Sequence, residues 1–232
     1  MKISLGILCY NGWKYTDQLI TDIKNNCQNA NEVIVMDNAS TEVETKLGLF
    51  YWNNSGLIPN MRVFHLTENA GFPGGMNALI PKFMLDTDVI VLLSNDVRIL
   101  SSDFIKEIEK DFTVNENILL GPTLYTQSTG WNVFDGVTIP YVEGYCLAAK
   151  RDFWYQTGGF DTIYSPSDFE DVDLSMTAVG DFGMDLKQMR PGLVQHLGGK
   201  TLGYSEERAA RTTRNRRLFA EKWSLKDDWQ EK

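Results

Sequence analysis

Apolar residues along the chain fall into short runs of strand length that alternate with segments of helical period. This is the pattern of βαβ units wound about a mostly parallel sheet. Residues 2–9 read as a first strand, after which Trp13, Leu19, Ile20, Ile23 and Cys27 recur at helical spacing. Glu32-Val33-Ile34-Val35-Met36 predicts a second strand ending at Asp37. A third strand over 61–66 leads into a segment rich in glycine and asparagine, and a helix is predicted from there to about residue 85. Val89-Ile90-Val91-Leu92-Leu93 is apolar without alternation, as a central strand covered on both faces must be. It delivers Ser94-Asn95-Asp96 to the sheet edge that also carries Asp37, the C-terminal edge at which open α/β sheets bind ligands. Beyond an amphipathic helix near 101–112, shorter strands over 118–124, 133–139 and 143–149 predict a second, mixed half.

Composition narrows the reading. A chain of 232 residues that is 43% apolar suffices for one well-buried core and is marginal for two domains, so one domain over 1–232 is expected. The formal net charge of −9 works against diffuse attraction to nucleic acid or an anionic membrane, both of which need a positive field. Cys9, Cys27 and Cys146 are odd in number and lack metal-type spacing, which fits reduced thiols in a cytosolic compartment. Lys2 followed by an apolar run superficially matches a signal peptide, but the run breaks at Asn11-Gly12 without a small-residue cleavage site. No apolar stretch reaches the roughly 18 residues needed to span a bilayer. The expectation is a cytoplasmic protein, at most membrane-peripheral.

The motifs occur in a specific order. Cys9-Tyr10-Asn11 follows the first strand, Val35-Met36-Asp37-Asn38-Ala39-Ser40 closes the second, and Asn69-Ala70-Gly71-Phe72 continues through Gly74-Gly75-Met76-Asn77. Then come Ser94-Asn95-Asp96, Glu143-Gly144-Tyr145-Cys146, Gly158-Gly159-Phe160-Asp161, Phe169-Glu170-Asp171-Val172-Asp173 and a late His196. Each is weak alone, but together they resemble glycosyltransferase family 2, and its rhamnosyltransferase-like members in particular. The resemblance implies a GT-A type nucleotide-diphospho-sugar transferase fold: α/β, with a mostly parallel central sheet flanked by helices and a smaller mixed sheet. It also implies a nucleotide-binding half over 1–100 and an acceptor-side half over 101–232 with a basic C-terminal helix. The implied activity is inverting, metal-dependent hexosyl or deoxyhexosyl transfer from a UDP- or TDP-sugar donor to a hydroxyl of a glycan or glycolipid acceptor.

A sugar nucleotide leaves as a diphosphate, and a divalent cation held by carboxylate oxygen neutralises the charge that builds on it. Asp96 stands where the family carries the last acid of a D-x-D-like motif, with Ser94 in place of the first acid and Asn95 a neutral helper; turn formation after a strand is the bland alternative. The resemblance gives His196 as a second ligand, imidazole being suited to manganese-like ions, Mn2+ before Mg2+. A core histidine bonded to backbone would look the same in sequence. His65, inside a strand and without motif context, reads as structural.

Asp37 resembles the family acid that accepts from pyrimidine N3–H, which suits uracil or thymine and not cytosine. Tyr10 and Asn11 fall where the family's first loop packs on base and ribose, and Asn69 and Asn77 flank the glycine segment at the nucleotide. Asn38 and Ser40 are assigned no direct contact, and Gly71, Gly74 and Gly75 serve backbone shape. An inverting transfer needs one base to take the acceptor's proton. The family's E-D pair maps to Glu170-Asp171, with Asp171 as the base and Glu170 its neighbour in acceptor binding. Ser167 and Glu170 also fit a capping box. Trp131 and Trp154 offer flat faces for a sugar, although such aromatics are more often core.

Arg208, Arg211, Arg214, Arg216 and Arg217 crowd one predicted helix. A phosphate clamp is the sharp reading. A solvated face with Leu218, Phe219 and Trp223 turned inward is favoured, and a weak peripheral membrane contact is left open. Three other functions are weighed. A nucleotidyltransferase would need a basic glycine loop, of which Asn11-Gly12-Trp13-Lys14 is a poor version. A catalytically inactive nucleotide-sugar-binding module is kept alive by Ser94. A nucleic acid acceptor is disfavoured by the net charge.

Overall fold

The computed structural model describes residues 1–198 and 205–227. The first half runs β1 (Ile3–Cys9), α1 (Trp13–Asn26), β2 (Val33–Asp37), α2 (Val43–Asn54), β3 (Met61–His65), α3 (Gly71–Leu79) and β4 (Val89–Ser94). There follow β5 (Val97–Ile99), α4 (Phe104–Val114), β6 (Ile118–Gly121), β7 (Leu124–Tyr125), β8 (Val133–Phe134), β9 (Val137–Thr138), β10 (Tyr141–Val142) and β11 (Cys146–Lys150). The chain continues with α5 (Arg151–Thr157), α6 (Glu170–Gly180), β12 (Asp185–Gln188), β13 (Val194–His196) and α7 (Glu206–Lys222).

Strands from both halves join one seven-stranded sheet in the order β12-β6-β11-β4-β1-β2-β3. Four neighbours, β4, β1, β2 and β3, run parallel. β11 lies antiparallel between β4 and β6, and β12 pairs parallel with β6. Alternation along each strand feeds two separate cores. Ile3, Leu5, Ile7, Val33, Val35, Val89, Val91 and Leu93 pack under α1, α2 and α4 through Leu19, Ile23, Leu49, Trp52, Ile108 and Phe112. Leu8, Ile34, Met36, Ile90 and Leu92 pack on the opposite face against α3, α5 and α6 through Met76, Leu79, Trp154, Leu174 and Ala178. This two-sided cover explains why β1, β2 and β4 carry no polar alternation. A third cluster, Phe134, Tyr164, Phe169, Val172 and Phe219, docks α7 onto α6.

The structure departs from the sequence expectations in four places, each for a local reason. Helix α2 escapes a search for amphipathic period because its outward face is apolar too, with Val43, Leu47 and Phe50 exposed opposite buried Leu49 and Trp52. The run at 118–124 divides into β6 and β7 at Pro122, which cannot donate to a ladder. The run at 133–139 is a hairpin, turned at Asp135-Gly136 with φ of 48° and 75° as a primed turn requires. Helix α3 begins inside the glycine segment, at Gly71, and ends at Leu79.

That glycine segment is shaped by close approach. A Cβ on Gly75 would sit 2.6 Å from Leu8 Cδ1 and 3.1 Å from Asn38 Nδ2, and one on Gly71, whose φ is 72°, would lie 3.0 Å from Pro166 Cα. The glycines therefore let α3 press against β1 and against the loop that precedes α6. Gly75→Ala is expected to lower unfolding free energy by about 1–3 kcal/mol through overpacking, read as a shift in urea midpoint at constant slope.

Candidate active site

A cavity of about 960 Å3 opens at the C-terminal edge of β1 and β4. Tyr10, Asn69, Gly71, Asn95 and Asp96 line it from the first half, and Glu170, Asp171 and His196 from the second.

Asp96 follows β4 and is 5% exposed. The chain turns back after it as β5, which pairs antiparallel with β13 so that His196 lies opposite Val97, and Leu197 N–H donates to the Asp96 carbonyl at 3.0 Å. That ladder brings His196 Nε2 to 3.2 Å from Asp96 Oδ1, which also accepts from the Ser94 hydroxyl at 2.9 Å. Burial works to raise the Asp96 pKa. The His196 ring, by hydrogen bond and charge, and the Ser94 hydroxyl together hold it below its ordinary value. Tyr145 stacks on the His196 ring with centroids 4.3 Å apart, fixing its plane. One carboxylate oxygen and one imidazole nitrogen on a shared cavity wall form a donor set that fits a manganese-like ion. Among the described residues, no group of three or more His, Cys, Asp or Glu is placed to hold a metal, so further ligands would have to come from solvent or substrate.

Asp171 lines the same cavity from the first turn of α6. Its Oδ2 accepts from Gly144 N–H at 3.0 Å and its Oδ1 from Val172 N–H at 2.9 Å. Burial pushes its pKa up to about 6, aided by the charge of Glu143, while the two backbone donors pull the other way. Glu170 is raised well above its ordinary value by burial first and by Asp171 second. Neither Ser167 Oγ nor Glu170 Oε2 has a hydrogen-bond partner. The capping box expected from those two residues is therefore not formed. The helix N-cap is Phe169 in a left-handed conformation, a turn that leaves the Ser167 hydroxyl unbonded.

The other nucleotide-side expectations divide. Asp37 is 2% exposed and is not part of the cavity wall, and its oxygens accept from Ser40 N–H and pair with His65 Nδ1 at 3.0 Å. His65, read as structural in sequence, is thus the neighbour that orients Asp37. Asn11 organises the first loop, accepting from Thr41 N–H and Glu42 N–H, and it too lies off the wall. Asn95 spends its amide on Thr16 and the Asn11 carbonyl. Asn69 accepts from Asn38 and Gly71 N–H. Asn77 is turned away altogether, its amide bonded in both directions to the Phe160 backbone. Trp131 borders the cavity, whereas Trp154 is fully buried with its indole N–H on the Ile90 carbonyl.

The solvated face expected for most of the α7 arginines holds only for Arg214 and Arg217, which are exposed, while Leu218, Phe219 and Trp223 do pack inward. Arg208 and Arg211 each fork onto Asp168, Arg214 donates to the Ser165 carbonyl, and Arg216 is 1% exposed with its guanidinium on Asp227 and 3.9 Å over the Phe134 ring. Asn215 donates to the carbonyls of Tyr164, Ser167 and Asp168. Asp173 gathers Tyr164 OH, Lys222 Nζ and Trp223 Nε1. The contacts of Asp168 and Asp173 with α7 tie α6 and the loop before it to that helix, a role that has no local sequence signature because those partners are forty residues or more apart.

Residues 4–165 match the profile described as glycosyl transferase family 2. The chain belongs to that family. No curated protein matches it significantly. Among solved structures, it is similar to the mannosyltransferase PcManGT of Pyrobaculum calidifontis in complex with GDP-Man and Mn2+, with TM-score 0.65 and 17% identity over 83% of this chain and 55% of that one. It is also similar to GalNAc-T7 with UDP, GalNAc and Mn2+, with TM-score 0.73 and 14% identity over 95% and 48%. A third likeness is glucosyl-3-phosphoglycerate synthase of Mycobacterium tuberculosis with Mn2+, UDP and phosphoglyceric acid, with TM-score 0.67 and 16% identity over 98% and 80%. The chain spans about half the length of the first two. At these identities the likeness shows the GT-A fold. Among the described residues, no helix of this family 2 protein is long and apolar enough to cross a membrane.

Asn215→Ala removes one amide from three carbonyls, two of those contacts buried, and leaves the loop before α6 without its central tie. A loss of about 1–3 kcal/mol is expected, measured as a drop in unfolding midpoint.

Proposed function

We propose that the protein is an inverting, metal-dependent glycosyltransferase that moves a hexosyl or deoxyhexosyl group from a UDP- or TDP-sugar to a hydroxyl of a glycan or glycolipid in the cytoplasm. The observation that carries this reading is that one cavity is lined both by the Asp96–His196 pair and by Asp171. Residues 1–100 would bind the donor and 101–232 the acceptor. The solved relatives bound to nucleotides and Mn2+ support the donor class and the cation.

Asp96 and His196 would hold the cation, which when bound supplies positive charge to the departing diphosphate. Asp171 takes the proton of the acceptor hydroxyl as that oxygen bonds to the anomeric carbon and the carbon's bond to the diphosphate oxygen breaks. Two backbone N–H donors orient the Asp171 carboxylate while leaving lone pairs for that proton. Asp37, held by Ser40 and His65, retains acceptor capacity for the N3–H of uracil or thymine.

Titration with UDP, TDP, GDP and CDP, with and without Mn2+, is expected to give metal-enhanced binding selective for UDP or TDP that Asp96→Ala weakens. A folded protein that binds none of the four overturns the transfer reading. Asp171→Asn is expected to abolish transfer with nucleotide affinity retained. In the wild type, transfer falls as pH drops through about 6, where Asp171 gains the proton that blocks it as a base. A rate that stays level from pH 8 to pH 5 removes Asp171 from this role.

A further inference from the structure

Two residues immediately before α6, Asp168 and Phe169, both have φ of 78°. Asp tolerates the left-handed region through local hydrogen bonding, but Phe has no such compensation, and two in succession persist only where their surroundings over-determine them. Those surroundings are unusually complete. Arg208 donates Nε and Nη2 to Asp168 Oδ1 at 3.3 and 2.9 Å, and Arg211 donates Nε and Nη2 to Oδ2 at 3.1 and 2.9 Å. Thr212 Oγ1 adds a bond at 3.3 Å, and Asn215 Nδ2 takes the Asp168 carbonyl at 2.7 Å. The Asp168 side chain is 13% exposed, so this pairing is screened less than a surface ion pair.

We propose that Asp168, gripped by Arg208 and Arg211, is a positioning residue for Glu170 and Asp171. The forks hold the left-handed turn that starts α6, and the start of α6 sets where the Asp171 carboxylate meets Gly144 N–H. Its catalytic meaning rests on the glycosyl-transfer reading, whereas its structural meaning does not. Guanidinium groups suit the task because each converges two N–H donors of fixed spacing on one carboxylate oxygen, which fixes orientation as well as distance. A lysine in place of either arginine keeps the charge and loses the fork. Among the described residues, the donors of the clamp all come from α7, so that helix sets the geometry of the proposed base.

The test uses the full chain with Asp168→Ala, Asp168→Gly and the pair Arg208→Lys, Arg211→Lys. Amide exchange is read at Gly144 and Val172, the two donors to Asp171, with Val91 in the sheet core as reference. The Asp171 carboxyl carbon is titrated by NMR. Each variant is expected to speed exchange at Gly144 and Val172 relative to Val91. As Asp171 becomes exposed, its titration falls from about 6 toward the ordinary aspartate range. Where the wild type transfers sugar, kcat falls by on the order of a hundredfold with donor KM unchanged. Asp168→Gly is the sharpest arm, because it relieves the backbone strain without restoring the clamp. Wild-type behaviour in that variant, or an unmoved Asp171 titration in all three, overturns the proposal. Failure of the wild type to bind UDP with Mn2+ would sink the transfer reading alone, since exchange and titration still decide whether Asp168 holds the pair.

Discussion

The antiparallel ladder between β4 and β11 is the constraint on which the site depends. Cys146 pairs with Leu93, Leu147 with Leu92 and Ala148 with Val91, and all six are fully buried. A slip of one residue would send each β11 side chain to the opposite core, so the register is fixed by both cores at once. Ser94 N–H continues the ladder by donating to the Tyr145 carbonyl. The residues that precede β11 are therefore held beside those that follow β4. Tyr145 stacks on His196 next to Asp96, and Gly144 N–H reaches Asp171. One run of backbone hydrogen bonds thus ties the Asp96–His196 pair and the Asp171 carboxylate to the same stretch of chain.

Legibility in the sequence followed the range of the interaction. β1, β2 and β4 could be read because two-sided burial imposes a largely apolar run on each, broken in β1 only by Ser4, and the strand ends then gave Asp37 and Asp96 their place. Glu170 and Asp171 were found through motif order and do fall on the first turn of a helix. What the sequence could not yield was pairing across long separations: His65 on Asp37, Asn77 on Phe160, and the arginines on Asp168. The capping box failed for a related reason. A Ser-x-x-Glu pattern presumes that the serine is the N-cap, but tertiary contacts from α7 force a left-handed turn between the two residues. Arginines that look solvated by composition are drawn inward because a carboxylate and an aromatic ring await them.

Strain and unsatisfied polarity gather on one side of the cavity. Consecutive left-handed residues, a buried carboxyl oxygen with no partner and a buried serine hydroxyl with none all lie between 167 and 170. Each is destabilising by itself. The offsetting stabilisation comes from α7, through Phe219 in the aromatic cluster and through the polar ties of Asn215, Lys222 and Trp223. A rigid sheet therefore carries the Asp96 side, while the Asp171 side is maintained by a separate helix at some cost. This asymmetry follows from topology: Asp96 ends a central strand, whereas Asp171 begins a helix whose entry must be held from outside.

Charge gives the last step. Asp96, Glu143, Asp168, Glu170, Asp171 and Glu206 all line the cavity, and among the described residues the one arginine or lysine that joins them, Arg208, is engaged by Asp168. A diphosphate entering such a space meets carboxylates at short range, and in a partly desolvated cavity that repulsion is weakly screened. Under the proposed function, a divalent cation between Asp96 and the diphosphate reverses the sign of the local field. A guanidinium already bound to Asp168 cannot do so without giving up the clamp on α6. Under that reading, the need for a cation follows from the charge balance among the described cavity residues. Ser94, which stands where the motif has its first acid, donates its hydroxyl to Asp96 and so stabilises the ionised carboxylate that such a cation would meet.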